Sequence, residues 1–201
     1  MSCWREVIMS KRRDVKEEVT PVKEGPTLLK ITIVPETWIL APSMPKDQLQ
    51  RWRECGWIDE DGLHLDRAFP RNSQGLPVIF RKWLRAPMIR ACQELAKSEG
   101  VELDRCRELV NTFSIVGDDG VATEYVVIPK QPLRYRRYVA PGKSEYFEYI
   151  DSTTQMTFNV VCKDPKLFLK VLSIAGRVGL MARTKYGYGK FSIKVEIRNT
   201  V

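Results

Sequence analysis

Residues 176 to 191 read GRVGLMARTKYGYGKF, in which Gly176, Gly179, Gly187 and Gly189 alternate with Arg177, Arg183, Lys185 and Lys190. Glycine admits positive φ and lets the backbone come close to a ligand, so such a loop can press its amides against phosphates while the cations neutralise them. Tyr186 and Tyr188 add flat faces on which unpaired bases can stack, worth about 1–3 kcal/mol per base. No GKS or GKT follows, as a Walker loop requires. The stretch also follows a helix and precedes a strand, unlike a dinucleotide fingerprint, so a nucleotide cofactor is disfavoured. The plainer alternative is a turn between the last helix and the last strand. Four glycines with four cations in sixteen residues exceed what a turn requires.

A second basic stretch, Leu133 to Gly142 (LRYRRYVAPG), interleaves Arg134, Arg136 and Arg137 with Tyr135 and Tyr138. Guanidinium groups pair with phosphates and stack on bases, so this is a further candidate RNA surface, and equally a solvated strand or loop face. The sole histidine, His64, sits between Leu63 and Leu65. It is the weak candidate for a general acid or base, and a structural role is the simpler account. Asp59, Glu60 and Asp61 read as a water-exposed loop rather than a metal site. Cys3, Cys55, Cys92, Cys106 and Cys162 include no CxxC pair, and one histidine cannot complete a zinc site with them. No metal and no cofactor are expected. Scattered cysteines fit buried thiols in a reducing compartment, which makes the expected location cytoplasmic.

Lys plus Arg number 33 against 25 Asp plus Glu, a net charge of +8, so the average surface attracts anions and nucleic acid is the expected partner. No apolar run reaches the roughly 18 residues of a membrane span, and no membrane partner is expected.

The elements that must carry these residues follow from periodicity and punctuation. Residues 1 to 26 read as a mobile or loosely docked arm, and 27 to 201 as one domain. Thr27 to Val34 is a buried strand after the Gly25-Pro26 break, and Lys46 to Cys55 a short helix. Turn chemistry at Gly75 and Pro77 precedes a long helical pattern in which Trp83, Leu84, Ile89, Cys92 and Leu95 form the buried stripe. That pattern leaves Arg81, Lys82, Arg85 and Arg90 free to lie elsewhere, and Pro87 should kink it or start its second part. Thr112 to Val116 and Val121 to Ile128 form a hairpin about Gly117–Gly120. Glu145 to Ile150 and Thr153 to Cys162 are strands, and Trp52, Trp57 and Trp83 are simplest as core. Pro165 to Ala175 is an amphipathic helix with Asp164 as N-cap and Pro165 at N1. Lys190 to Arg198 is the last strand. Interleaved helices and antiparallel hairpins suit an α+β fold with helices on one sheet face.

Three stretches together resemble the RAMP superfamily of CRISPR-associated proteins. IAGRVGLMARTKYGYGKFSIKV is similar to that family's glycine-rich loop and final strand. EYIDSTTQMTFNVVCKDPKLFLKVLSIAG is similar to the strand and helix before it. GLPVIFRKWLRAPMIRA resembles the turn and Arg-bearing helix of the backbone subunits of effector complexes. The resemblance implies a ferredoxin-like (RRM-like) antiparallel sheet elaborated by insertions. It also implies a role in antiviral defence as a non-catalytic subunit that binds crRNA or target RNA, single-stranded, within a ribonucleoprotein that supplies protein partners. The RNA-contacting positions expected are Gly176, Arg177, Gly179, Arg183, Lys185, Tyr186, Gly187, Tyr188, Gly189 and Lys190 in the loop, with Arg81, Lys82 and Arg85. The chain departs from the family at Phe80-Arg81-Lys82-Trp83, where a serine- and glycine-rich turn is usual. At Pro35-Glu36-Thr37 it also lacks the acidic loop that cleaves target RNA in some backbone subunits. Two alternatives stay open: a metal-independent endoribonuclease processing CRISPR RNA, and a mobile-element protein that mimics such a subunit and inhibits an effector complex.

Overall fold

A computed structural model describes residues 26–198. The expected arm at residues 1 to 26, and Cys3 within it, lie outside the described residues but for Pro26. Strand β1 (Thr27–Pro35) buries Leu29, Ile31 and Ile33 at every second position and turns Lys30 and Thr32 to the other face. A short strand β2 (Ile39–Leu40), helix α1 (Lys46–Glu54), a 3₁₀ turn at Asp61–His64 and strand β3 (Val78–Phe80) precede helix α2 (Arg81–Glu99). Helix α2 runs through Pro87 as one element and ends at Gly100, whose φ of 67° closes it.

Helix α3 (Leu103–Thr112) follows, with Cys106, Leu109 and Val110 buried at helical spacing, an element not anticipated from the sequence. Strands β4 (Ser114–Val116) and β5 (Ala122–Thr123) make the expected hairpin. The expected single strand at Val121 to Ile128 is divided, however. Strand β6 (Tyr125–Val127) leaves the hairpin to pair with β3, because the Arg81 amide donates to the Glu124 carbonyl at 2.7 Å and holds the chain at that bend. Strands β7 (Leu133–Ala140) and β8 (Lys143–Ile150) form a second hairpin, followed by β9 (Met156–Cys162). Helix α4 (Pro165–Val178) starts as expected, the Asp164 carboxylate accepting from the Leu167 amide at 3.0 Å. Strand β10 (Phe191–Arg198) closes the fold.

The main sheet has the order β10-β1-β9-β4-β5, all pairs antiparallel. Its first four strands, with α2 and α4 as crossovers, have the βαββαβ connectivity and 4-1-3-2 order of a ferredoxin-like sheet. One face carries the main core, from Leu29, Ile31 and Phe158 to Met88 of α2 and Phe168 and Leu172 of α4. The opposite face carries polar pairs between Leu28, Val34 and Val161: Lys30 pairs with Glu196 at 3.1 Å, and the Thr32 and Thr157 hydroxyls bond at 2.9 Å. No aromatic side chain of β1 or β9 lies among these open-face positions, so base stacking on the sheet of the kind RRM domains use has no platform there.

Two insertions elaborate this unit, residues 36–80 before α2 and residues 117–155 before β9. They pack on each other. Strand β2 pairs with β8 and β3 with β6. A second small core of Leu49, Trp52, Ile58, Leu65 and Ala68 fills the first insertion, with Trp57 partly buried against it. Of the expected buried thiols, Cys92, Cys106 and Cys162 are buried and Cys55 is exposed. Burial, reinforced by the Cys106 thiol beside it, pushes Cys92 up to about 12.

Candidate nucleic-acid interface

Helix α4 extends one turn further than expected, so Gly176 and Arg177 are helical and the loop proper begins at Gly179, where φ is 94°. Gly176 is buried, and a β-carbon there would stand 2.1 Å from the Phe191 carbonyl oxygen. Its lack of a side chain is what lets β10 cross the helix. Gly189 plays the same part against Leu180, whose carbonyl oxygen would meet its β-carbon at 2.2 Å. Arg177 lies exposed on α4 and pairs with Glu94 at 3.0 Å.

The loop is fastened along its length. The Leu180 amide donates to the Gly189 carbonyl and the Gly189 amide to the Trp38 carbonyl, each at 2.8 Å. The Thr37 hydroxyl donates to the Gly187 carbonyl at 3.0 Å and accepts from the Lys190 amide at 2.9 Å. Inside this frame Met181 and Arg183 hold φ of 68° and 58°, left-handed conformations that side chains other than glycine rarely take. Such strain costs about 1–3 kcal/mol per residue and persists where surrounding structure imposes it, most often at functional sites.

Glu145 of β8 accepts from Arg67 at 3.0 Å and from Arg183 of the loop, its side chain 16% exposed. Burial acts to raise its carboxyl, but the hydrogen bonds and charges of the two arginines outweigh that and hold it below the ordinary carboxylate value. Arg183 is therefore spent on the protein. Lys185 and Lys190 are exposed and pair with no carboxylate among the described residues. Lys185 lies 5.0 Å from the centre of the Tyr186 ring, which is 64% exposed; Tyr188 is half-buried.

The Arg/Tyr stretch is β7, exposed from Leu133 through Val139. Arg136 donates to Ser144 Oγ at 3.0 Å and lies over the Tyr146 ring; Arg134 pairs with Asp59 at 2.7 Å. That hydrogen bond, then one from the Gly62 amide, holds Asp59 below the usual carboxylate range. Arg137 is exposed with no ion pair among the described residues, and Tyr138 is 68% exposed. On the face of β7 that Arg137 shares, Tyr135 packs on Trp38 and Phe147, both at 5.5 Å between ring centres, and Trp38 stacks on Tyr149 at 4.3 Å.

The glycine-rich loop and β7, some forty residues apart in sequence, are thus joined through Trp38, which holds the loop by its carbonyl and β7 by its ring, and Glu145 ties the loop to β8, the hairpin partner of β7. Neither residue stands out in the sequence. The only available signal for Trp38 was its place just after β1, opposite the loop's return.

The α2 arginines lie elsewhere. Arg81 donates to the Phe113 carbonyl at 2.6 Å and pairs with Glu124 at 3.2 Å; Arg85 bonds the Asn111 side chain. Both brace α2 against the end of α3. Lys82 is exposed beside Phe80 and Trp83. His64 is exposed in an open groove of about 720 Å³ with Lys46, Arg134, Arg136 and Tyr146.

No protein-family model matches this chain, and no curated protein matches it. Among solved structures, the chain is similar to one from the cryo-EM structure of the type III-B Cmr-beta bound to cognate target RNA. The TM-score there is 0.55 at 12% identity, over 87% of this chain and 61% of that one. It is also similar to a chain of a type IV-B CRISPR complex, with a TM-score of 0.50 at 13% identity, over 87% of this chain and 93% of that one. The chain therefore spans about three fifths of the length of the first. At this identity the likeness is one of fold.

Proposed function

We propose that this chain is an RNA-binding, non-catalytic subunit of a CRISPR-type ribonucleoprotein of the RAMP kind, acting in antiviral defence. In this reading it holds single-stranded guide or target RNA between the 179–190 loop and β7. The observation that carries the reading is the joining of these two basic, tyrosine-bearing segments through Trp38 and the Arg67–Glu145–Arg183 clamp. Among the described residues Lys185, Lys190 and Arg137 have no carboxylate partner, and Tyr186 and Tyr138 are exposed on the same two segments. Free cations neutralise phosphates and exposed rings stack on bases, the two contacts that single-strand binding needs. The fold shared with chains of two CRISPR complexes, one of them bound to target RNA, supports the same reading.

Binding of labelled single-stranded RNA to wild type and to Lys185→Ala/Lys190→Ala tests it. Affinity should fall about tenfold regardless of sequence, as expected for lost phosphate contacts. Unchanged affinity would count against the loop. Arg183→Ala is the poorer probe, since it also opens the clamp.

The His64 groove favours a second reading, an endoribonuclease in which His64 moves a proton while Arg136 holds the phosphate. Specific cleavage of the same RNA, lost in His64→Ala, would favour it. Absence of RNA binding together with capture of an intact effector complex would favour an inhibitor instead.

A further inference from the structure

Between α2 and the strained part of the loop lies a groove of about 290 Å³, which the clamp borders only through Arg67 and the Trp38 cluster does not line. Its walls are Trp83 and Pro87 from α2 and Met181 and Thr184 from the loop, with Arg90 and Arg67 among its lining cations. We propose that this groove receives one unpaired RNA base, stacked against Trp83 and Met181, with the adjoining phosphate on Arg90. The inference rests on the RNA-binding reading above and specifies one contact within it.

The groove lies at the low end of the roughly 300–1,000 Å³ typical of small-ligand sites, which suits a single ring system rather than a duplex. Trp83 is half-buried, its ring standing edge-on to Phe80 at 5.1 Å, and it belongs to the groove lining. Aromatic and thioether groups favour the flat face of a base whatever its hydrogen-bonding edge. Arg90 is exposed and has no carboxylate partner among the described residues, whereas Arg67 is already committed to Glu145. The groove thus offers an uncommitted cation beside apolar, ring-sized walls, which matches a nucleotide better than an apolar peptide side chain. The left-handed backbone at Met181 supplies the second observation, because the strained residue is itself a groove wall.

The test uses a single-stranded oligoribonucleotide with 5-iodouridine at successive positions, irradiated on the full chain, with adducts mapped by mass spectrometry. Alongside it, affinities of Trp83→Ala and Arg90→Glu are measured for the oligonucleotide and for an abasic ribose-phosphate strand of the same length. The expected result is an adduct on Trp83 or Met181. Affinity for the base-bearing strand should be about tenfold weaker in Trp83→Ala, with little change for the abasic strand. Arg90→Glu, at an exposed position that does not threaten folding, should weaken both. RNA binding by wild type with adducts confined to β7 or to Tyr186, and with both variants unaltered, would overturn the pocket and leave the RNA-binding reading standing. No RNA binding by wild type would overturn both.

Discussion

Arg71 and Glu148 are each 1% exposed, and the pair is tolerated because the carboxylate is fully engaged. One oxygen takes Arg71 Nη2 at 2.7 Å; the other takes the Phe69 amide at 2.9 Å. Arg71 also donates to the Phe69 carbonyl at 2.6 Å and lies over Trp52. Removing one partner of such a pair leaves a buried charge without compensation. Glu148→Ala should therefore cost about 3–5 kcal/mol in urea unfolding. A loss below about 1 kcal/mol would mean that water reaches Arg71. At this scale the sequence shows which groups are charged but not what they face. Arg81 and Arg85 look like free cations on a helix, yet their partners, Phe113 and Asn111, arrive from about thirty residues away. Gly176 looks like part of a phosphate loop, yet its place is accounted for by the backbone of β10 passing over it.

The elements were largely legible because hydrophobic period and capping chemistry are local: β1, α1, α2, α4 and β10 all stand where alternation, helical spacing and the Asp164-Pro165 start place them. Helix α3 was missed because its apolar face is confined to few positions in a charged stretch, LDRCRELVNT. The hairpin of β7 and β8 is placed on the loop by the Arg67–Glu145–Arg183 clamp, a long-range feature. Because Glu145 is held below its ordinary value of 4.5, the clamp's contribution is fully present above that pH and is lost as pH falls through the lower folded-state value. Glu145→Gln should accordingly melt below wild type at neutral pH by an amount on the order of 1 kcal/mol. The gap between the two should close as the solution is acidified past the ordinary carboxylate value. Thermal melting from neutral pH to about pH 3 checks this, and a constant gap would show that Glu145 is not the group responsible.

For the whole molecule, a net charge of +8 means that any polyanion is drawn in from a distance set by ionic strength. If the loop and β7 grip RNA phosphates, log affinity should fall linearly with log salt by about 0.7 for each phosphate contact on a single strand. Replacing both Lys185 and Lys190 by alanine should lower that slope by about 1.4. A salt-independent affinity would instead indicate stacking alone. By itself the sequence determined most of the elements, the α+β class, the basic balance and the two basic tyrosine-bearing segments, since all of these depend on residues close together along the chain. Only the tertiary structure decided that the two segments meet at Trp38 and Glu145, that Arg183, Arg81 and Arg85 are occupied, and that a groove opens between α2 and Met181. Each of these turns on which distant groups the fold brings within a few ångströms, and neither composition nor spacing carries that information.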